Sequence, residues 1–504
     1  MVLSKAILKD LDGNKMELPD HKIFELPEKV LQFGTGVFIR SFADYFIDKA
    51  NKNNVFNGRI VVVKSTSNGS GNEFEEQDGL YTVCSKGIEN GVIKEEFVVN
   101  ASISRVLVAG SQWTEILKCA HNPEMKVVIS NTTEVGIQLV EEKINENPPA
   151  SFPGKLLSFL MERYHAFGGS KESGMVIIPA ELIPDNGTKL KEIIIKLAKF
   201  NNVDDTLLSW IENDNVFCNS LVDRIVSGKP SKEELAKLEN TLGYSDSLLS
   251  VSELFSLWAI EGDDLVREVL SFSTENKGVV ISENIDLYRE LKLRLLNGTH
   301  TFNCGLAFLA GFKLTRDAML DKEYGSFAAA LMHEDIAAAI PLSIPTETKA
   351  AYANDVIERF CNPYIDHQWI SITAQYTSKM KMRNLPLLFK YNELFGSPSD
   401  RMVTGFAGYL LFMKAVKQED GKYYGFANGS EYLISDDAAA FYFDCWKDNN
   451  PADVVAACFA NKDMWDADLT TLIGFEAAVV AKLSELIEFG VMNVLNKMEL
   501  NKVA

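Results

Sequence analysis

The chain has 504 residues, with 50 Lys and Arg against 70 Asp and Glu, a formal net charge of −20. Hydrophobic residues make up 46 % and charged residues 24 %, which excludes a disordered chain, a collagen and a small disulfide scaffold. The acidic excess argues against nucleic acid or an anionic membrane surface as the main partner, because phosphate binding calls for a basic face.

In chain order, short runs rich in Val and Ile occupy residues 29–33, 59–64, 96–101, 126–130, 175–179 and 278–282. They show little polar alternation, the pattern of parallel strands buried on both faces. Helical segments are expected between them at 37–51, 113–120 and 155–166. Alternating strands and helices predict a doubly wound α/β domain over residues 1–285. Within it, residues 231–262 read as a helical insertion, opened by the capping box Ser231-Lys232-Glu233-Glu234. After about residue 286 the strand signal fades. Helical spacing at 351–360, 401–416, 436–446 and 469–500 predicts a mostly α-helical C-terminal domain over 286–504.

The N-terminus carries charges every few residues and no apolar core, so no secretory signal is expected. No stretch approaches the ~20 apolar residues of a membrane span. The seven cysteines, at 84, 119, 218, 304, 361, 445 and 458, contain no C-x-x-C pair. They read as reduced thiols of a cytoplasmic protein. Sequons such as Asn68-Gly69-Ser70 are then chance matches.

Two stretches carry chemistry. The first is Leu31-Gln32-Phe33-Gly34-Thr35-Gly36-Val37-Phe38-Ile39-Arg40, an apolar strand, a G-x-G turn and a helix start. Glycines there let the chain turn tightly and let its backbone approach a pyrophosphate at a helix N-terminus. The third small residue of the full fingerprint is replaced by Ile39. The second strand ends in Lys64, followed by Ser65-Thr66-Ser67, where an acid would grip the ribose 2′-hydroxyl. By themselves these residues leave NAD and NADP both open.

The second stretch is Lys292-x4-Asn297-x2-His300. On a helix of ~3.6 residues per turn these three side chains fall within an arc of about 140°. A lysine can give a proton to a developing alkoxide, or take it in the reverse direction. Its pKa must then be lowered by burial or by cations such as Arg294. An asparagine amide can donate to the oxyanion, and a histidine can orient the substrate.

On these motifs the chain resembles the long-chain polyol-specific dehydrogenases, the mannitol dehydrogenase family. Gly34-x-Gly36-x-Phe38-x-Arg40, Gln77-Asp78-Gly79-Leu80-Tyr81-Thr82, Asn219-Ser220-Leu221-Val222-Asp223-Arg224-Ile225, Lys292-x4-Asn297-x2-His300 and Ser378-Lys379 carry the likeness. It implies a Rossmann-like N-terminal domain, NAD as cofactor, a small-molecule substrate and no metal. The stretches Ser130–Gly136, 296–301 and 307–311 resemble the branch of the family that acts on hexuronate-derived sugar acids. The implied roles are Lys292 as general acid/base, Asn297 as oxyanion donor and His300 as a substrate hydrogen-bonding group. Asn131 and Thr132 join residues 31–40 and Lys64 as the expected cofactor contacts. Asn186, in Asp185-Asn186-Gly187, is expected either to bind substrate or to form a turn.

A sugar acid brings a carboxylate, for which Lys379 is the expected cation; Lys381 and Arg383 are expected on a solvated face. Fructuronate reduction and mannitol-type polyol oxidation are the alternative activities. A non-catalytic sensor of the dinucleotide is the alternative from another class, and the Lys292-Asn297-His300 set argues against it.

Overall fold

The computed structural model describes residues 1–65, 72–145, 147–448 and 450–503. Thr66, Ser67 and the Asn68 sequon lie outside the described residues. The chain divides into two units: Met1–Gly87 with Ile93–Ile285, and Ile88–Val92 with Asp286–Ala504.

In the first unit, apolar runs form a six-stranded sheet. Its strands are β1 (Glu28–Phe33), β2 (Arg59–Lys64), β3 (Ile103–Val108), β4 (Val127–Ser130), β5 (Val176–Pro179) and β6 (Val216–Phe217). They lie in the order β3-β2-β1-β4-β5-β6, and every pairing is parallel. Successive side chains point to opposite faces, and both faces are covered. Val30, Ile60, Val62 and Ile129 pack with Phe42, Phe46 and Trp258. Leu31, Phe33, Val61 and Val63 pack with Trp113, Phe152 and Leu156. This two-sided burial explains the continuous Val/Ile runs. β3 lacks that signature because it is an edge strand in which only Ile103 and Leu107 are fully buried.

Three expectations need correction. Residues 96–101 are not part of the parallel sheet. They end the strand Val92–Asn100, which neighbours Tyr81–Glu89 in a separate four-stranded sheet. These two strands join through Asn90 and Gly91, both at positive φ, as a two-residue hairpin requires. Residues 278–282 form Val279–Ser282, parallel to Leu257–Glu261 in a three-stranded sheet. The 231–262 stretch is helical only over Lys232–Leu242. There Ser231 and Glu234 make the reciprocal capping box, and Gly243 ends the helix at φ 85°. Ser250–Glu253 and Leu257–Glu261 are strands.

The second unit is helix-rich. The expected 401–416 helix is Asp400–Phe412, followed by an antiparallel meander of Lys417–Glu419, Lys422–Ala427 and Ser430–Ile434. Its turns are Asp420-Gly421 and Asn428-Gly429, all four residues at positive φ as two-residue hairpins require. The 469–500 stretch breaks at Gly490 (φ 76°) into Phe475–Phe489 and Val491–Val503. Three segments, Lys292–Gly298, Leu331–Ile336 and Met380–Asn384, are π-helical. No described helix is long and apolar enough to cross a membrane.

Candidate active site

In the first unit, the strand order reverses between β1 and β4, where ligands of open parallel sheets bind beyond the carboxyl ends of the strands. Phe33 is in register with Val63 and Ser130, so Gly34, Lys64 and Asn131 stand side by side at three adjacent strand ends. The Gly34 amide donates to Val63 O (3.2 Å), and the Asn131 amide to Phe33 O (2.9 Å). Gly34 has φ 129°, and a Cβ on it would stand 2.6 Å from Asn131 O, so only glycine fits. Gly36 is exposed, with open space where its Cβ would be. A backbone that turns this tightly and then presents a bare glycine fits the close approach of a dinucleotide pyrophosphate.

The residues of this stretch divide by role. Gly34, Thr35, Gly36, Val37 and Phe38 are at least partly exposed, whereas Leu31, Gln32, Phe33, Ile39 and Arg40 are buried. Arg40 is therefore not a free cation for a phosphate. Its Nε donates to Thr35 O (3.3 Å), its Nη1 donates to Leu248 O, and its guanidinium lies over the rings of Phe74 and Tyr81. It holds the turn from behind. The helix it belongs to, Val37–Arg40, lasts one turn before the chain breaks at Phe42 (φ −129°, ψ −90°) and resumes at Ala43–Lys52.

Beneath the turn lies a polar cluster that the motif reading missed. Gln32 Nε2 donates to Gly34 O (3.2 Å) and lies 3.4 Å from Asp44 Oδ2, which also accepts from Tyr81 Oη (3.2 Å). Tyr81 belongs to the family-like Gln77–Thr82 stretch, the one signal that pointed here. Burial pushes the Asp44 carboxyl up to about 7, against the opposing pull of Gln32, Tyr81 and Arg40. Thr132, one residue beyond Asn131, is fixed through its amide and hydroxyl by Glu181 Oε1 (2.8 and 2.9 Å), and Asn131 donates to Ala180 O (3.2 Å).

Asn186 takes the turn role. Its Nδ2 donates to the carbonyls of Pro179, Glu181 and Ser220 (3.0 to 3.1 Å), and its Oδ1 accepts from the Gly187 and Ser220 amides. With both amide hydrogens engaged, it has no donor left for a substrate, which corrects the substrate-binding expectation.

In the second unit, Lys292 opens the π-helical segment and Asn297 lies within it, while His300 sits on the following helix, Thr299–Leu309. An i→i+5 turn is wider than an α-helical one, so Lys292 and Asn297, five apart, lie closer in angle than an ordinary helix would place them. Lys292 and Asn297 are half-buried. The Asn297 carbonyl accepts from the Thr301 hydroxyl (2.8 Å).

His300 is 6 % exposed and stacks on Phe360, with ring centroids 4.1 Å apart. His367 and Trp369 meet its ring edge-on. Burial, then the charges of His367, Arg383, Arg359 and Lys379, drives its pKa well below the usual range. The ring is neutral at physiological pH, and its Nε2 is buried with no hydrogen-bond partner.

Arg294 does not supply the bare positive charge expected beside Lys292. It is buried and pairs with Glu290 (3.0 Å). Lys379 donates to Ile372 O (2.8 Å) and is held below its usual range by burial and then by Arg383. The pair expected on a solvated face is half-buried: Lys381 pairs with Asp466, and Arg383 donates to Thr301 Oγ1 (3.2 Å). Among the described residues, no three His, Cys, Asp or Glu side chains converge as a metal site would require.

Comparisons with known proteins identify the family. Family models match a mannitol dehydrogenase Rossmann domain at residues 28–273 and a mannitol dehydrogenase C-terminal domain at 284–487. The chain is 36 % identical to an altronate oxidoreductase of Halalkalibacterium halodurans, covering 93 % of this chain and 92 % of the relative. It is 36 % identical to that of Bacillus subtilis (94 % and 95 %) and 35 % identical to that of Escherichia coli (94 % and 97 %). Among solved structures, a D-sorbitol dehydrogenase in substrate-free form shares the fold with TM-score 0.81 at 22 % identity, over 98 % and 99 % of the two chains. The Pseudomonas fluorescens mannitol 2-dehydrogenase, solved with NAD and D-mannitol, gives TM-score 0.69 at 22 % identity, over 99 % of both chains. With both units matched in order, the chain is an oxidoreductase that belongs to the mannitol dehydrogenase family.

Proposed function

We propose that this chain is an altronate oxidoreductase, interconverting D-altronate and D-tagaturonate with NAD(H) in the cytoplasmic breakdown of hexuronates. The observation that carries the reading is end-to-end likeness to altronate oxidoreductases, in a chain that carries the Lys292-x4-Asn297-x2-His300 motif. The exposed Gly36 backbone supports a dinucleotide at the first unit. When bound, that cofactor supplies or accepts the hydride.

The rest is done by the chain's own side chains. In reduction, the Lys292 ammonium gives a proton to the carbonyl oxygen as it gains negative charge. In oxidation, the neutral amine takes the hydroxyl proton. The Asn297 amide donates to the same oxygen, and it does so most strongly when that oxygen is anionic. Neutral His300, with its unpartnered Nε2, offers a hydrogen bond to a substrate hydroxyl without adding charge.

The test is NADH oxidation by the purified chain with tagaturonate, fructuronate and fructose in parallel. Turnover fastest with tagaturonate is expected. Preference for fructuronate or fructose replaces the substrate assignment, and no turnover of any of them removes the proposed activity. NADPH in the same assay decides the coenzyme.

A further inference from the structure

We propose that the buried Glu181 carboxylate is a fixed counter-charge for the cationic nicotinamide ring, and so raises the affinity of the first unit for NAD+ relative to NADH. The inference rests on the dinucleotide reading above and deepens it.

Three observations carry it. The first is where the acid stands. Ser130, the last residue of β4, is in register with Phe33 of β1 and with Pro179 of β5, and Glu181 follows Pro179 by two residues. Glu181 therefore lies at the carboxyl ends of β4 and β5, on the side of the Gly34 turn away from β2. In an open sheet of this kind the pyrophosphate lies at the first turn and the adenosine ribose at the end of the second strand. The nicotinamide half then falls on the other side of the turn, towards β4 and β5.

The second observation is an unmatched charge. Glu181 is 3 % exposed, and among the described residues no Lys, Arg or His stands within ion-pair distance of it. Three other buried acids have a cation at hand: Asp48 pairs with Lys52 (2.7 Å), Asp335 pairs with Arg401, and Asp44 has the Arg40 charge beside it. Asp246 also lacks one, but its partners, Gln77 and Thr82, lie by the four-stranded sheet. A buried charge without a partner is costly, and an arriving cation offsets that cost. The oxidised ring carries a positive charge that the reduced ring lacks. The acid need not touch the ring, since a charge in a water-poor interior acts over about 10 Å.

The third is that the surroundings suit the ionised form. Among the described residues, the hydrogen bonds to the carboxylate are all donated to it. Ser130 Oγ donates to Oε2 (3.0 Å), and the Thr132 amide and hydroxyl donate to Oε1 (2.8 and 2.9 Å). A main-chain N–H cannot accept, so Oε1 is held as an acceptor. Burial pushes the Glu181 pKa up, and these donors pull it back. The main chain is fixed as well, because Asn186 Nδ2 donates to Glu181 O (3.1 Å).

The test is a pair of dissociation constants, for NAD+ by calorimetry and for NADH by cofactor fluorescence, measured on the full-length chain without sugar substrate. Glu181→Gln keeps the shape and can serve the same partners: its amide oxygen accepts from Thr132 and its NH2 donates to Ser130 Oγ. It should weaken NAD+ by about ten-fold and leave NADH within about three-fold. Glu181→Asp keeps the charge, so its ratio of NAD+ to NADH affinity should stay within about two-fold of the wild type, even where both forms bind more weakly. Where Glu181→Gln does not fold, Ser130→Ala stands in for it. That change strips one donor from the carboxylate and favours its protonated form, so it should shift the ratio in the same direction.

An unchanged ratio in Glu181→Gln, or in Ser130→Ala where it stands in, overturns the counter-charge, because Glu181 then holds the fold and not the ring. Binding of neither form by the wild type overturns the cofactor reading along with it. A ratio that shifts as expected in a chain that does not turn over tagaturonate leaves the counter-charge standing and removes the proposed activity instead.

Discussion

Arg294 donates through Nη1 to the main-chain carbonyls of Met382 (3.0 Å) and Arg383 (2.6 Å). The segment that carries Lys292 and the segment that carries Arg383 are thereby held in one register. A second tie runs from Asn384 Nδ2 to Gly298 O (3.2 Å). Replacing Arg294 by Met removes the clamp and leaves partly buried Glu290 without its cation. A loss of about 2–4 kcal/mol is expected, read from the urea midpoint, together with reduced kcat. An unchanged midpoint would show that the two segments hold each other without Arg294.

Lys292→Ala tests the proton-transfer role. The variant should bind NADH as the wild type does, measured by cofactor fluorescence. Its turnover should fall by about 10²–10⁴-fold, the usual scale of general acid–base catalysis. Activity near wild type would take Lys292 out of the mechanism.

The two glycines of the turn should fail in different ways. Gly34→Ala forces a Cβ against Asn131 O at φ 129°, so stability should drop by about 1–3 kcal/mol, read as a lower melting temperature. Gly36→Val meets no protein atom, so the fold should hold while the branched side chain fills the space above the turn. NADH affinity should fall at least ten-fold. Unchanged affinity in Gly36→Val would separate this turn from cofactor binding.

Asp44 should make stability depend on pH. Its carboxyl titrates near 7 in the folded chain and near 3.8 when unfolded. Between those values the folded state holds a proton that the unfolded state has released, so this group's contribution falls as pH rises from about 4 to 7. The stability difference between Asp44→Asn and the wild type should therefore shift in favour of the variant over that window. Parallel denaturation midpoints at pH 5 and pH 8 measure it. A difference that stays constant across the two would show that Asp44 is ionised in the fold.

Much of the first unit was legible in the sequence, because burial on both faces leaves a chemical trace. The Val/Ile runs at β1, β2, β4 and β5 have no other use. The edge strand Ile103–Val108 left a weaker trace, since only two of its six residues are fully buried. The site was legible where chemistry and local shape coincide, as at Gly34 and Gly36. It was not legible where partners are far apart in the chain: Asp44 meets Tyr81 across 37 residues, and Arg383 meets Thr301 across 82. Lys381 and Arg383 are expected on a solvated face, yet the π-helical segment leaves both half-buried and puts Met382 at the surface.

The π segment at Lys292–Gly298 also limits how this protein can change. A π-turn is an α-helix accommodating one surplus residue. Deleting any one residue between Lys292 and Asn297 would let the helix relax to its ordinary pitch. The residues downstream would keep their phase, but the wide turn that sets Lys292 against Asn297 would be gone. Point substitutions along this stretch disturb one contact at a time, but a single-codon deletion would remove the wide turn itself. The four-residue interval between the lysine and the asparagine is therefore a mechanical setting of the helix, and its length should prove less negotiable than the identity of the residues inside it.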